Sequence, residues 1–268
     1  MLDAQLPDPK IDVQPRAAGL LRARVGTAGL EKLRQQGSLK ALFPRTTGPV
    51  DLVALNTTGG VTGGDRFVTE LEVGPGAQLR YATQAAERAY RAQPGEVGQI
   101  ATRLRLDVAA SLFWLPQETL LYDSAALDRR FDADLAADAT LIAVEALVFG
   151  RRAMGERLTN LRFRDQWRVR RGGRLVFADA VRLDAAIGQL SRPVLASGGG
   201  AVAQVLIVSP EAERHSRHPA PKGGAASLVS EGVLFARVIA EDGFELRRAL
   251  LPYLERLTDT AMPKVWGL

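Results

Sequence analysis

Residues 56–65 read Asn56-Thr-Thr-Gly-Gly-Val-Thr-Gly-Gly-Asp65, two glycine pairs around Val61 and Thr62 closed by a single acid. Gly59, Gly60, Gly63 and Gly64 are residues that supply positive φ and close backbone approach. Asp65 is then fixed by neighbouring amides or by an arginine. A phosphate loop needs a lysine after its glycines, and none follows. The dinucleotide fingerprint needs a helix where a strand pattern begins at Phe67. Two readings stay open: a tight turn between strands, and an interior carboxylate with a function.

Three further stretches carry chemistry. Thr83-Gln-Ala-Ala-Glu-Arg-Ala-Tyr90 is dense in polar groups, with Thr83, Gln84, Glu87 and Arg88 ahead of Tyr90; its plain reading is a strand end held by a Glu87–Arg88 network. Trp114-Leu-Pro-Gln-Glu-Thr119 puts Glu118 just after an aromatic residue. Phe149-Gly-Arg-Arg-Ala-Met-Gly-Glu156 sets Glu156 after Gly150, Arg151 and Gly155. With Asp65 and Glu145 these are acids in an apolar context. Such acids do general acid–base work as pairs, or hold a borderline cation weakly; for any one of them the plain alternative is a salt bridge to the abundant arginines. The chain has no cysteine and two histidines, His215 and His218. Their i, i+3 spacing puts them on one helix face, but no third ligand lies nearby, so no tight metal site is expected and solvated histidines are the plain reading. A Ser/His/Asp triad would have to use one of these two.

Period-two alternation dominates the elements that must position these residues. Leu20–Val25, then Phe67, Thr69, Leu71 and Val73, then Ile100, Thr102, Leu104, Leu106 and Val108 each place apolar groups on one strand face. Trp167 and Val169 alternate with arginines, and Val202–Val208 is apolar throughout, as in a strand buried on both faces. Four segments share an apolar pair at i and i+2 matched at i+8: Leu71/Val73, Leu106/Val108, Ala133/Leu135 and Trp167/Val169. That pattern suits two antiparallel strands about a tight turn. Helical spacing is clearest over Phe244–Leu257, interrupted by Pro252. A short helix is expected over Pro210–His218 with Ser209 as its cap, followed by a loop from His218. The fold class is mainly β: stacked antiparallel sheets or hairpins with about two α-helices, the clearer one C-terminal. A single domain over residues 1–268 is expected, with residues 1–16 as a flexible N-terminal extension.

Composition narrows the classes. The chain has 268 residues, 46% hydrophobic and 24% charged, which excludes a disordered protein. The first sixteen residues are polar and lack the apolar core of a secretory signal. No apolar run approaches the roughly 18 residues of a membrane span, so a cytoplasmic protein with no membrane partner is expected. The net charge of +5 comes from 35 bases among 30 acids. They are scattered, with no run of five or six like charges and no nucleic-acid motif; an acidic protein partner or simple solubility accounts for the excess.

Together these stretches resemble the urease accessory protein family UreD, called UreH in some lineages. The resemblance is carried in order by Gln36-Gly37-Ser38-Leu39-Lys40 with Phe43-Pro44-Arg45, by Asn56–Asp65, by Thr83–Arg91, by Trp114–Thr119 and by Phe149–Glu156. Thr58 stands where many members have serine. The resemblance implies a β fold acting as a scaffold between apo-urease and the UreF homologue, with the UreG GTPase attached through UreF. It implies transient nickel, no tightly bound cofactor, and a water-filled passage. On it Asp65 and Glu156 are placed along the passage, with Glu118 and Glu145 after them.

Three hypotheses make different demands. A non-catalytic scaffold, the preferred reading, calls for an exposed apolar patch from the C-terminal helix and neighbouring strands. A β-rich hydrolase calls for Asp65, Glu118 and Glu156 to converge in one pocket. A nucleic-acid-binding module calls for arginines clustered on one face.

Overall fold

The computed structural model describes residues 15–46, 48–151, 154–156, 158–184 and 199–267. Among the described residues the first strand is β1 (Ala18–Gly26), followed by β2 (Gly29–Gly37), β3 (Leu39–Leu42) and β4 (Val50–Asn56). The chain then winds between two sheets through β5 (Arg66–Val73), β6 (Gln78–Thr83), β7 (Glu87–Ala89), β8 (Gly98–Leu106), β9 (Ser111–Leu115), β10 (Thr119–Leu121), β11 (Ala126–Leu135), β12 (Thr140–Phe149) and β13 (Arg162–Arg171). Strand β14 (Arg174–Asp184) folds back on β13. Strand β15 (Ala201–Val208), helix α1 (Ala212–His215), β16 (Gly224–Ser230), β17 (Val233–Ala240) and helix α2 (Gly243–Thr258) follow, with a closing 3-10 turn at Lys264–Gly267.

A seven-stranded sheet runs β14-β13-β11-β8-β5-β1-β2, and a ten-stranded sheet runs β16-β17-β15-β12-β9-β6-β4-β3, with β10 and β7 paired beside it. The mainly β class, the stacked sheets and the C-terminal helix are as the sequence leads one to expect. The pairing inside the sheets differs. Strands β5, β8, β11 and β13 are parallel, as are β4, β6, β9 and β12. Of the four turns expected to be antiparallel hairpins, only β13–β14 is one. The other three, at Gly74–Ala77, Asp107–Ala110 and Ala136–Ala139, carry the chain from one sheet to the other and bond to the next turn, as in Asp107 N–H to Val73 O at 2.9 Å and Ala136 N–H to Leu106 O at 2.9 Å. The coil across two sheets turns i and i+8 toward the same interior, as Leu71 and Leu79, Leu106 and Trp114, and Ala133 and Leu141 do, whereas Leu175 of the hairpin is 56% exposed, so the apolar spacing alone does not tell a coil from a hairpin.

The interior between the sheets is a stack of inward side chains. One row runs Ala23–Leu71–Leu104–Ala133–Val169 and the next Val25–Val73–Leu106–Leu135, and all are buried. The opposite parity faces outward and is charged. One rung reads Arg34–Arg22–Glu70–Arg103–Asp132–Arg168 and its neighbour Lys32–Arg24–Glu72–Arg105–Asp134–Arg170. Sign alternates from β1 to β13, and opposite charges directly across strands stabilise the face.

Helix α2 covers the other side of the ten-stranded sheet. Leu246, Leu250, Tyr253, Leu254 and Leu257 pack on Ile142, Val144, Val205 and Ile207. Fully burying each such leucine contributes about 1.5–3 kcal/mol. Asp242 caps the helix, its carboxylate accepting the Glu245 amide at 2.9 Å. The helix runs through Pro252, its apolar stripe offsetting the missing hydrogen bond. That stripe is spent on the sheet, so of the apolar patch expected from this helix and neighbouring strands the helix supplies one exposed large apolar side chain, Phe244, while β16 supplies Leu228 and Val229. Helix α1 is shorter than the expected Pro210–His218, and its cap is Glu211 without a side-chain bond. The Ser209 hydroxyl instead accepts the Glu211 amide at 3.1 Å.

Candidate functional site

On β11 the inward parity places Leu127, Arg129, Phe131, Ala133 and Leu135 on one face. Arg129 is therefore a guanidinium on an apolar row, flanked in register by Ile100 and Asp165. On β12 the parity that turns Leu141, Ala143 and Leu147 inward brings in Glu145. The three meet between the sheets. Arg129 Nη1 donates to Glu145 Oε2 at 2.7 Å and to Thr119 Oγ1 at 3.0 Å, and Nη2 donates to Asp165 Oδ2 at 2.6 Å. Trp114 Nε1 donates to Glu145 Oε1 at 3.1 Å. With the Gln204 amide turned to satisfy its neighbours, its oxygen accepts Trp167 Nε1 at 3.0 Å. The aromatic rings form a continuous run: Tyr81 stacks on Trp114 at 3.9 Å, Trp114 meets Phe131 edge-on at 5.8 Å, and Phe131 stacks on Trp167 at 4.3 Å.

This cluster lies where two interior cavities meet. A cavity of about 170 Å³ is lined by Thr69, Tyr81, Glu87, Thr102, Glu145 and Asp165 among others. A smaller one of about 30 Å³ is bounded by Phe149, Leu183, Val202, Gln204 and Arg237. Arg129, Glu145 and Asp165 line both, so the guanidinium separates them. One cation faces two carboxylates. Burial pushes Glu145 upward, the Arg129 charge pulls it back, and the Asp165 charge pushes it up again, leaving it raised. Burial also raises Glu87, against the hydrogen bonds from the Asn56 amide at 3.2 Å and the Arg88 N–H at 3.2 Å. The larger cavity thus holds two carboxyl groups, Glu87 and Glu145, that burial pushes upward and that hydrogen bonds hold in place.

Strands β4, β6, β9 and β12 are parallel neighbours, so the segments that leave them gather at one end of the sandwich. These are the motif segments. Val61 pairs with Ala89, β7 with β10, β10 with β12, and Arg91 with Ala125. Gly59, Thr83, Gln84, Glu87 and Arg88 line the larger cavity at that end. Tyr90 sits on the outside, its ring edge-on to Tyr122 at 5.4 Å. Gly64 has a φ of +84°, and a side chain on Gly63 would run into Glu96 at 2.6 Å.

The four acids expected along a passage are not brought together. Only Glu145 lines the cavities. Asp65 is buried, its Oδ1 accepting the Ala17 amide at 2.7 Å and its Oδ2 the Thr62 amide at 2.9 Å. Both oxygens are spent on fixing the glycine turn to the start of β1. Glu118 is paired with the Arg247 guanidinium at 2.9 and 2.7 Å, which ties α2 to the segment after β9. Glu156 takes the Arg151 side chain at 2.8 Å and its amide at 2.8 Å across the turn holding Gly150 and Gly155, and Arg151 holds its carboxyl below the usual range. Arg151 in turn lies over the Tyr122 ring at 4.5 Å. Neither interior cavity is lined by Asp65, Glu118 or Glu156. His215 and His218 have ring centroids 6.1 Å apart, and burial lowers His215. Among the described residues no three His, Asp or Glu side chains cluster to hold an ion. Arg16 pairs with Glu96 at the start of the described chain; the rest of the expected N-terminal extension, residues 1–14, lies outside the described residues, as do Arg152 and Ala153 of the last motif.

The family model described as UreD urease accessory protein matches residues 16–267. The chain belongs to the UreD family. A urease accessory protein UreD from Roseobacter denitrificans is 45% identical over 263 residues, covering 95% of this chain and 96% of that protein. The UreD of Ruegeria pomeroyi is 46% identical over 250 residues, 91% of this chain and 97% of its own. That of Rhodopseudomonas palustris is 39% identical over 280 residues, 99% and 96% respectively. Among the described residues no helix is long and apolar enough to cross a membrane. Within this UreD chain, Arg129 and Asp165 are the site residues that motif reading misses. Their signal is parity: each is a charged residue at an inward position of an otherwise apolar row, Leu127-x-Arg129-x-Phe131 and Phe163-x-Asp165-x-Trp167.

Proposed function

We propose that this chain is a non-catalytic scaffold in urease assembly, binding apo-urease and the UreF homologue with its UreG GTPase, and that nickel in transit passes through its interior cavity. Family membership supports the accessory role. The observation that carries the passage is the cavity of about 170 Å³ between the sheets, whose largely apolar wall is interrupted by Glu87, Glu145 and Asp165 beside Thr69, Thr102 and Gln117. A carrier must release its cargo. Oxygen donors hold a borderline cation less firmly than thiolate or imidazole sets, and this chain offers oxygen donors in its interior, no cysteine, and two histidines on the α1 segment. Asp65, Glu118 and Glu156 serve on this reading as anchors of the surrounding segments. A hydrolase built on those three gains no support, because each is committed to separate partners.

The test is co-purification with apo-urease and the UreF homologue, then nickel-dependent urease activation with and without this chain. Thr102→Leu narrows the cavity and Glu87→Gln removes a carboxylate from it. Both variants should form the complexes and activate urease poorly. Full activation by both would remove the passage, and failure of the wild-type chain to bind either protein would remove the scaffold.

A further inference from the structure

The outer face of the seven-stranded sheet concentrates the basic charge of the molecule. Besides the two rungs given above, a third reads Arg66–Gln99–Asp128–Arg164–Arg182, and between them lies Arg130, opposite Gln166. These four rows hold 12 of the 35 basic residues of the chain but five of its 30 acidic ones. The rest of the chain is therefore slightly acidic. Compensation within the face is uneven. On the β1–β5–β8 side Glu70 holds both Arg22 and Arg103, and Glu72 holds Arg24. On the β11–β13 side no salt bridge among the described residues reaches Arg130, Arg164 or Arg168. Arg164 and Arg168 lie two residues either side of Gln166, so with Arg130 they form a compact cluster on neighbouring strands about 4.8 Å apart.

We propose that this face is a docking surface for an acidic protein, with Arg130, Arg164 and Arg168 as its anchors. Charge complementarity selects the occupant. A nucleic-acid backbone presents uniform negative charge and would bring phosphates against Glu70, Glu72, Asp132 and Asp134, which interrupt the cations along both long rungs. A protein surface can set cations opposite those acids and acids opposite the arginines. A second copy of this chain would bring the same cation excess against itself. The face lies on the opposite side of the molecule from α2 and leaves that helix free, so a scaffold can hold one partner on each side. That the acidic protein is one of the two assembly partners rests on the function proposed above.

The test variant is Arg130→Glu/Arg164→Glu/Arg168→Glu. A control with the same change in charge, Arg45→Glu/Arg217→Glu/Lys222→Glu, alters exposed residues outside both this face and α2. Circular dichroism checks that both fold. Affinity for apo-urease, for the UreF homologue and for a polyglutamate peptide is measured at several salt concentrations, with a duplex RNA as the competing ligand class. The face variant should lose at least tenfold in affinity for one of the two proteins and for polyglutamate, lose the salt dependence of that binding, and keep the other protein; the control should keep both proteins. Retention of both by the face variant, or loss of both, overturns the proposal. So does loss of RNA binding with both proteins kept, which assigns the face to nucleic acid. If the wild-type chain binds neither protein, the assembly reading fails, and the polyglutamate comparison alone decides whether the face recognises acidic polypeptide.

Discussion

Arg129 and Glu145 meet across the sandwich at 2.7 Å, one from each sheet, with Asp165 on the same guanidinium at 2.6 Å. Desolvating these charges is costly, and the pairing and hydrogen bonds offset that cost only while all three are present. Arg129→Met should leave two buried carboxylates without their cation and cost about 3–5 kcal/mol. Adding Glu145→Leu and Asp165→Leu should recover most of that loss, because an apolar set of similar volume has nothing to desolvate. Urea denaturation of the single and triple variants measures both; equal stabilities for the two would show that the ion cluster is not what sets the cost.

Much of the architecture is legible in the chain and part of the site is not, for one reason. Alternation reports which face is buried but not which strand lies alongside. Phe67, Thr69, Leu71 and Val73 fix the inward face of β5, yet they fit equally a hairpin partner and the parallel β8 that lies there. Helix α2 is readable because its stripe is long and Asp242 stands at its cap. The glycine motif locates the segment after β4 and its acid fixed by neighbouring amides, those of Ala17 and Thr62; the place along a passage that the resemblance implies for Asp65 is not something the motif's spacing carries. The carboxylates that do face the cavity, Glu87, Glu145 and Asp165, are set by strand parity and sheet order, and sheet order rests on long-range pairing.

The role assigned to Asp65 separates anchor from ligand. Asparagine keeps one acceptor and points an N–H₂ at an amide donor, so Asp65→Asn should cost about 1–3 kcal/mol through the buried donor left unpaired. Urease activation should then fall only as far as the folded fraction falls. A variant of unchanged melting temperature that fails to activate would make Asp65 a ligand in transit instead.

Acid should loosen the segment that follows Glu156. Burial pushes Asp123 up, but the Asn160 and Thr159 amides, with the Thr159 and Ser124 hydroxyls, outweigh it and hold the carboxyl at about 2. The unfolded value is about 3.9, so the unfolded state binds the proton first. The contribution is complete above about pH 5 and is lost as pH falls through 2. The melting-temperature gap between wild type and Asp123→Asn should be wide at pH 5 and much narrower, though still open, at pH 2.5; a gap of constant size would place the stabilisation elsewhere.

The C-terminal segment is clamped by one side chain. Arg247 reaches both oxygens of Glu118, the Gln117 side chain at 2.8 Å and the Trp266 carbonyl at 3.3 Å, while Trp266 Nε1 donates to the Leu115 carbonyl at 2.9 Å. Lysine cannot reproduce the fork. Arg247→Lys should lose about 1.5–3 kcal/mol, the range for hydrogen bonds to charged groups. Amide exchange should quicken over residues 243–267 and stay unchanged in β5, β8 and β11. Uniform quickening would mean that the helix and the sheets open as one unit.

Gly60 tests whether the motif segments need to touch. A Cβ there would lie 2.5 Å from the Arg88 carbonyl oxygen and 2.3 Å from the Tyr90 ring, and the ring can turn aside while the carbonyl cannot. That carbonyl accepts the Val61 amide at 2.7 Å, and the Val61 carbonyl accepts the Tyr90 amide at 2.8 Å, so an intruding methyl group pries apart two segments at the cavity mouth. Gly60→Ala should cost about 1–3 kcal/mol as overpacking and reduce nickel-dependent activation by displacing Glu87 and Arg88. Gly59 is the internal comparison: its φ is +74° but its Cβ site is open. Gly59→Ala therefore meets conformational strain alone, about 1–2 kcal/mol, and should leave activation closer to wild type. Thermal denaturation and activation assays on the pair decide it: if Gly59→Ala impairs activation as much as Gly60→Ala, contact between these two segments is not what shapes the cavity mouth.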